Sequence, residues 1–314
     1  MIKRWAWFGA VVLGAVAASA CSQGPEASDE NVSTSTQPIL NGAPANEAKL
    51  GAVVALVYTI PDTDFVLDAF CSGTLVGPRA VVTARHCTPM IDQAAAEGLT
   101  AAVAFGPDAF APIQVVPITN YVAAPHAPGN EKGLLLDGGR DVAVAHLASV
   151  PAGVTPAKLG EFSESMIGTK FQIAGFGMYN FDAFYGQKYA GVATARATNG
   201  DWYPLLFNRN FQAFHEWYFT DSALAAPSEQ EAREWWKRYR LENKYELLAG
   251  GLPGEAVACY GDSGGPLLLG SNANNLTTYG VSFAVEATYS TVCGLGGGYL
   301  VFNRKMLDFV RHSL

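Results

Sequence analysis

Charge is scarce in this chain of 314 residues: 15% of it is Asp, Glu, Lys or Arg, and 20 Lys and Arg against 28 Asp and Glu leave a formal net charge of -8. No basic run exists, so the chain lacks the electrostatic footprint of a nucleic-acid binder, and its acidity suits solubility after export. No metal-ligand spacing and no phosphate-cradling loop is present, so neither a metal nor a cofactor is expected. There is no internal repeat, and strand and helix patterns do not alternate regularly, which argues against an α/β sheet. The apolar stretch from Trp5 to Ala18 is too short to span a bilayer comfortably.

That stretch has a different use. Lys3 and Arg4 precede it as a positive n-region and Ala18-Ser19-Ala20-Cys21 follows it, so residues 1–21 read as a signal peptide. The small residues before Cys21 resemble a bacterial lipobox, in which the cysteine is lipidated and becomes the new N-terminus. Ala18 stands where leucine is usual, and plain cleavage after Ala20 is the alternative. The expectation is an exported cell-envelope lipoprotein, in the outer membrane or periplasm or released extracellularly, meeting the membrane through Cys21. Residues 22–38, rich in Ser, Thr, Gly, Pro, Asp, Glu and Asn, read as a tether or pro-segment. The folded domain is expected over residues 39–314.

Five cysteines are present, and export places them where disulfides persist. If Cys21 carries lipid, the other four form two bridges, with three pairings open. The more local choice is Cys71–Cys87 with Cys259–Cys293, each worth about 3–4 kcal/mol by loop-closure entropy.

Short apolar, β-branched runs dominate from residue 51 onward, at 51–60, 71–76, 80–83, 101–105, 114–122, 141–147, 170–174, 266–269, 278–285 and 298–302. Separated by Gly, Pro, Asn and Asp, they predict an all-β sandwich or barrel. Two helices stand out. One, over about 228–241, opens on the capping pattern Ser228-Glu229-Gln230-Glu231 and carries Trp235, Trp236 and Tyr239 as one aromatic face, expected to pack in the core or between barrels, with ligand binding the remoter reading. The other, from about Arg304 to His312, closes the chain.

The most informative run is Cys259-Tyr260-Gly261-Asp262-Ser263-Gly264-Gly265-Pro266. A serine held among glycines can present its hydroxyl and nearby N–H groups to one substrate atom, as a nucleophile beside an oxyanion hole must. Thr83-Ala84-Arg85-His86-Cys87 leaves the strand-like run 80–83, so the histidine has a restrained backbone and suits a general base. His126, His146, His215 and His312 lack such surroundings and read as structural. Asp141 opens an apolar strand in Arg140-Asp141-Val142-Ala143-Val144, where a carboxylate needs a hydrogen-bonding partner such as an imidazole. Asp108 and Asp137 are weaker candidates, since neither leads into such a strand. The run also satisfies the Gly-x-Ser-x-Gly elbow of α/β-hydrolases, but only His312 follows Ser263, and the order His86, Asp141, Ser263 does not fit that class.

Thr83-Ala84-Arg85-His86-Cys87, Asp141-Val142-Ala143-Val144 and Gly261-Asp262-Ser263-Gly264-Gly265-Pro266, in this order, resemble the chymotrypsin/trypsin-like serine proteases over about Ile39 to Leu314. The resemblance implies two antiparallel Greek-key β-barrels with the active site between them. It implies a serine endopeptidase in which Ser263 attacks, His86 transfers protons, Asp141 orients His86, and the N–H groups of Gly261 and Ser263 form the oxyanion hole. It also implies a protein or peptide as substrate. An activating protease would cut before Ile39, whose new amine would pair with Asp262. Ile39-Leu40-Asn41-Gly42 resembles the family's mature start, although Gln37-Pro38 offers no basic residue to a trypsin-like activator. By the same alignment Val257 sits at the base of the primary pocket, with Ser282, Ala284 and Gly297 as walls. Valine has no counter-charge for Lys or Arg, so a small or medium apolar P1 residue is expected. Arg85 replaces the usual alanine and is expected to point to solvent. The stretch 180–251 lacks the family's cysteine pair and looks like an insertion, as does 286–292. The alternative readings are a catalytically weak or inactive binding protein on the same fold and, more remotely, an esterase.

Overall fold

The computed structural model describes residues 39–45, 48–126, 140–178, 185–220, 228–285 and 293–314. Cys21, the signal and tether segments 1–38, Asp137 and the 286–292 insertion lie outside the described residues. Among those described, no helix is long and apolar enough to cross a membrane.

The chain folds into two closed antiparallel barrels. The first comprises β1 (Val53–Thr59), β2 (Val66–Gly77), β3 (Ala80–Thr83), β4 (Thr100–Phe105), β5 (Gln114–Ala123) and β6 (Ala143–Leu147), joined in the order β1-β2-β3-β6-β5-β4, with β4 closing on β1. The helix α1 (Thr88–Ala96) lies between β3 and β4. Val54, Leu56, Val103, Val116 and Leu147 belong to its core. The second comprises β7 (Lys170–Gly175), β8 (Tyr189–Ala197), β9 (Glu246–Ala249), β10 (Pro266–Leu269), β11 (Thr277–Val285) and β12 (Gly297–Val301), in the order β7-β8-β9-β12-β11-β10, with β10 paired to β7 to close the ring. The connectivity of the first barrel is therefore repeated, each ring closing on itself.

β8 and β9 were not legible as strands. β8 reads Tyr-Ala-Gly-Val-Ala-Thr-Ala-Arg-Ala, small residues with weak β propensity. Proximity demands them: a Cβ at Gly191 would come within 2.3 Å of the Ala256 Cβ. β9 spans four residues, Glu-Leu-Leu-Ala, which carry no alternation.

Barrel two buries Phe171, Ile173, Leu247, Leu267, Tyr299 and Val301, and Ile39 joins this core at 1% exposure. A further cluster joins the barrels: Val82 and Val144 from the first meet Phe283, Leu300 and Phe302 from the second, under Met306, Leu307 and Val310 of the closing helix, Arg304–His312. Asn303 caps that helix, its side chain accepting from the Met306 N–H at 3.0 Å.

Between β8 and β9 the described residues include the helices α2 (Trp202–Leu206), α3 (Phe211–Thr220) and α4 (Glu229–Trp236). They enclose an aromatic core of Trp202, Tyr203, Phe214, Trp217 and Tyr218. The helix expected over 228–241 stops at Trp236. Ser228 caps it as expected, accepting from the Glu231 N–H. At the other end the Lys237 and Arg238 amides fold back onto Glu234 and Trp235, and Arg240–Leu241 pairs as strand with Gly200–Asp201. Tyr239 is therefore off the helix, and the two tryptophans diverge: Trp236 packs on Phe211 and Phe214, whereas Trp235 faces Tyr239 at 5.6 Å.

Candidate active site

The antiparallel register between β3 and β6 pairs Thr83 with Ala143. His86, three residues beyond the end of β3, and Asp141, two residues before β6, are thereby brought together. The His86 backbone N–H donates to Asp141 Oδ1 at 2.9 Å, and His86 Nδ1 lies 2.6 Å from Asp141 Oδ2. An ionised carboxylate only accepts, so Nδ1 carries the proton and Nε2 keeps its lone pair. Asp141 is 1% exposed, and these two bonds offset its burial. The neighbouring Arg85 does not reach solvent as expected. It is 6% exposed and its Nη1 donates to the Ala124 carbonyl at 2.9 Å, because the chain leaving β5 turns that carbonyl inward.

Ser263 comes from the second barrel, in the turn that precedes β10. Its carbonyl accepts from the Ser72 N–H at 2.8 Å, which ties the turn to the first barrel. Within the turn the Asp262, Gly264 and Gly265 amides bond to the carbonyls of Cys259, Ser282 and Asp262. The amides of Gly261 and Ser263 have no acceptor among the described residues, so two donors beside the Ser263 hydroxyl stay unspent. Gly264 has φ +85° and lies so close to barrel one that a Cβ would sit 2.1 Å from the Ser72 carbonyl oxygen. Only glycine fits there.

Ser72 escaped sequence reasoning altogether. It is fully buried, and its hydroxyl donates to the Gly261 carbonyl while accepting from the Phe176 N–H, both at 3.0 Å. Its neighbour Cys71 is bridged to Cys87, beside His86. One dipeptide of β2 therefore holds both the histidine and the serine segments. The signal is a long-range contact, and no local pattern announces it. The second bridge, Cys259–Cys293, braces the serine run from the other side. Cys71, His86 and Cys87 cluster within 4.8 Å, but the two sulfurs are bonded to each other and cannot ligate a metal.

His86 and Ser263 line one cavity of about 580 Å³, together with Gly261, Tyr260 and the strand segment Ser282–Val285. Among the described residues no hydrogen bond joins the Ser263 hydroxyl to the His86 ring; such bonds commonly tighten only when substrate arrives. His126, His146, His215 and His312 are not in the cavity's described wall. Asp108 accepts from the Phe110 N–H at 2.8 Å, away from His86. Of the residues assigned to a primary pocket, Ser282 and Ala284 line the cavity, whereas Val257 and Gly297 are buried outside its described wall. Val257 pairs instead with Leu40, its N–H bonded to the Leu40 carbonyl at 3.0 Å. Phe70 and Met90 from the first-barrel half, and Tyr203, Trp235 and Tyr239 from the helical insertion, complete the lining with Cys259.

Asp262 points inward. At 1% exposure its carboxylate accepts from the Cys259 N–H at 2.7 Å and the Gly177 N–H at 2.8 Å, with no cation beside it among the described residues. Burial pushes its pKa up to about 7 against the pull of those two amides.

Behind Asp141 lies a second buried acid. Glu246 of β9 is 1% exposed and accepts from the Glu242 N–H at 2.7 Å. Desolvation, with smaller contributions from the charges of Glu242 and Asp141, pushes its pKa up to about 7. Arg140 approaches the same group: its Nη2 is 3.5 Å from Glu242 and its guanidinium lies 4.7 Å from the centre of the Tyr245 ring.

A protein-family model described as trypsin matches residues 39–201. No curated protein matches the chain in sequence. Among solved structures, one titled "Structure of GrC" superimposes with a TM-score of 0.53 at 15% identity, covering 86% of this chain and 96% of that one. At that identity the likeness speaks for the fold.

Proposed function

The chain belongs to the trypsin family, and from that premise we propose that it is an exported serine endopeptidase acting through His86, Asp141 and Ser263. The observation that carries the reading is the His86–Asp141 contact of 2.6 Å in the same cavity as Ser263 and its two unspent amides. Ser263 Oγ attacks the scissile carbonyl carbon while His86 Nε2 takes its proton. The oxygen that becomes negative is met by the Gly261 and Ser263 N–H groups. His86 returns the proton to the leaving amine, the C–N bond breaks, and water activated by the same histidine releases the acyl group. Asp141 holds the tautomer and stabilises the imidazolium.

Ser282 and Ala284 in the cavity wall, and the absence of any charged side chain other than His86 from its described lining, support a small or medium apolar P1 residue. Cleavage before Ile39 belongs to the same reading. Asp262 is a buried carboxylate without a cation, and Ile39 is already packed in the core of the same barrel. A freed Ile39 amine would supply the missing charge and order the serine turn. Export, lipidation at Cys21 and a tether over 22–38 set the protease at the cell envelope.

A fluorophosphonate probe tests the proposal on protein cut before Ile39. Labelling that disappears in Ser263→Ala is expected. An unlabelled parent protein would favour a binding role for the fold. Ester substrates with alanine or valine at P1 are expected to turn over faster than those with lysine or arginine, and the reverse order would overturn the pocket assignment.

A further inference from the structure

The helical insertion has an aromatic core of its own, yet three of its rings reach the catalytic cavity. Trp236 turns inward onto Phe211 and Phe214. Trp235, its chain neighbour, touches the same core at Tyr218, with ring centres 6.3 Å apart, and also lines the cavity with Tyr239 and Tyr203. Trp235 and Tyr239 are half-buried, 5.6 Å apart, and the exposed guanidinium of Arg238 sits 4.3 Å and 5.5 Å from their ring centres. That stacking holds both rings in place before any ligand arrives. The Trp202 N–H, donating to the Tyr239 carbonyl at 2.8 Å, pins the segment to α2.

The rings overlook a free run of strand. β10 covers one side of β11 only as far as Val281, and Phe283 to Val285 line the cavity beyond that point. An extended peptide laid along that run alternates its side chains. With Ser282 and Ala284 walling the residue under attack, a neighbouring residue faces the insertion. A side chain arriving there meets aromatic surface, and apart from Arg238, whose guanidinium is already stacked on these rings, no charged group in the described wall would repay desolvation of a polar one.

We propose that Trp235 and Tyr239 form a second specificity subsite, which selects a large apolar or aromatic side chain at a substrate position flanking the residue whose carbonyl Ser263 attacks. The proposal rests on the serine-peptidase reading. It gives the insertion a part in substrate choice beyond packing.

Peptide libraries varied on both sides of the scissile bond test it, with the full chain cut before Ile39. At one flanking position the parent is expected to favour Phe, Tyr, Trp or Leu over Ser and Asp by about tenfold or more in kcat/KM. Trp235→Ala is expected to lower that ratio about tenfold, and Trp235→Phe to keep most of it. The ratio is read within each protein, so loss of overall activity does not mimic the effect. If Trp235→Ala does not fold, Tyr239→Ala, which lies past the helix end, carries the same expectation. A flat profile in a parent that labels with fluorophosphonate, or a preference unchanged in the variants, would overturn this subsite alone. A parent that does not label would overturn the peptidase reading and the subsite with it.

Discussion

At the seam between the barrels, side chains are held by hydrogen bonds to backbone; in the insertion between Gly200 and Leu241 they are held by ring against ring. Asp141, Ser72 and Asp262 each take two or more bonds with partners at 2.6–3.0 Å. Phe214 instead stands among Tyr203, Phe207, Trp217, Tyr218 and Trp236, with ring centres 4.9–6.0 Å apart, and the Trp217 Nε1 and Tyr218 hydroxyl are buried without hydrogen-bond partners among the described residues. On the proposed peptidase reading the seam has to fix atoms, because proton transfer and oxyanion binding fail when groups are misplaced by an ångström. The insertion has only to exclude water and present a surface, so volume and apolarity suffice. Substitutions of similar size should therefore have unequal consequences in the two regions.

The largest inequality is expected at Gly264. A Cβ there would sit 2.1 Å from the Ser72 carbonyl oxygen and 2.2 Å from Thr83 Oγ1, at a φ of +85°. The turn must move away from barrel one or the barrels must part. Gly264→Ala is expected to cost about 4 kcal/mol or more in urea unfolding and to lower peptide hydrolysis about a hundredfold or more by displacing Ser263. A variant with parental stability and activity would show that the seam tolerates the looseness of the insertion.

What was legible in the sequence follows the same division. His86 and Ser263 stand out because their constraints are local: a cysteine beside one, glycines around the other. Asp141 stands out because a charge opens an apolar strand. Both disulfides are the local pairings. Ser72, by contrast, acts through Gly261, 189 residues away, and nothing near it in the chain marks it. α2 and α3 escaped because runs such as Phe-Gln-Ala-Phe-His-Glu-Trp-Tyr-Phe-Thr lack a polar face of the usual width. That their neighbours Trp235 and Tyr239 leave the insertion for the cavity depends on where α4 ends, and the turn at Lys237 is set by strand pairing further on.

The buried acids offer the next test, through pH. Glu246 is protonated in the folded protein up to about pH 7, whereas in the unfolded chain it ionises near its ordinary value. A raised carboxyl pKa means that the native state binds the extra proton, so stability falls as pH rises from about 4.5 to 7 and levels off above. The full shift corresponds to a cost on the order of 3 kcal/mol at pH 8. Glu246→Gln keeps an acceptor for the Glu242 N–H and removes the titration. It is expected to match the parent at pH 4.5 and exceed it at pH 8 in urea unfolding. Asp262 titrates with the same sign, so the variant should still lose some stability with pH until an Ile39 amine is freed. A difference between parent and variant that does not grow with pH would remove Glu246 from the seam's charge balance.

The finest comparison deletes one oxygen from each region. Ser72→Ala leaves the buried Phe176 N–H and the partly buried Gly261 carbonyl without their partner, and is expected to destabilise by about 2 kcal/mol. Through Gly261 it should also lower kcat more than it raises KM. Tyr218→Phe removes a hydroxyl that has no partner to lose. Its ring contacts with Phe214, Phe219 and Trp235 remain, so it is expected to be neutral or to stabilise by up to about 1 kcal/mol. Denaturant unfolding of the pair decides the matter. If both deletions cost the same, the Tyr218 hydroxyl has a bonding partner after all and the insertion is as closely specified as the seam; if only Ser72→Ala costs stability, hydrogen bonding is confined to where the chemistry needs it.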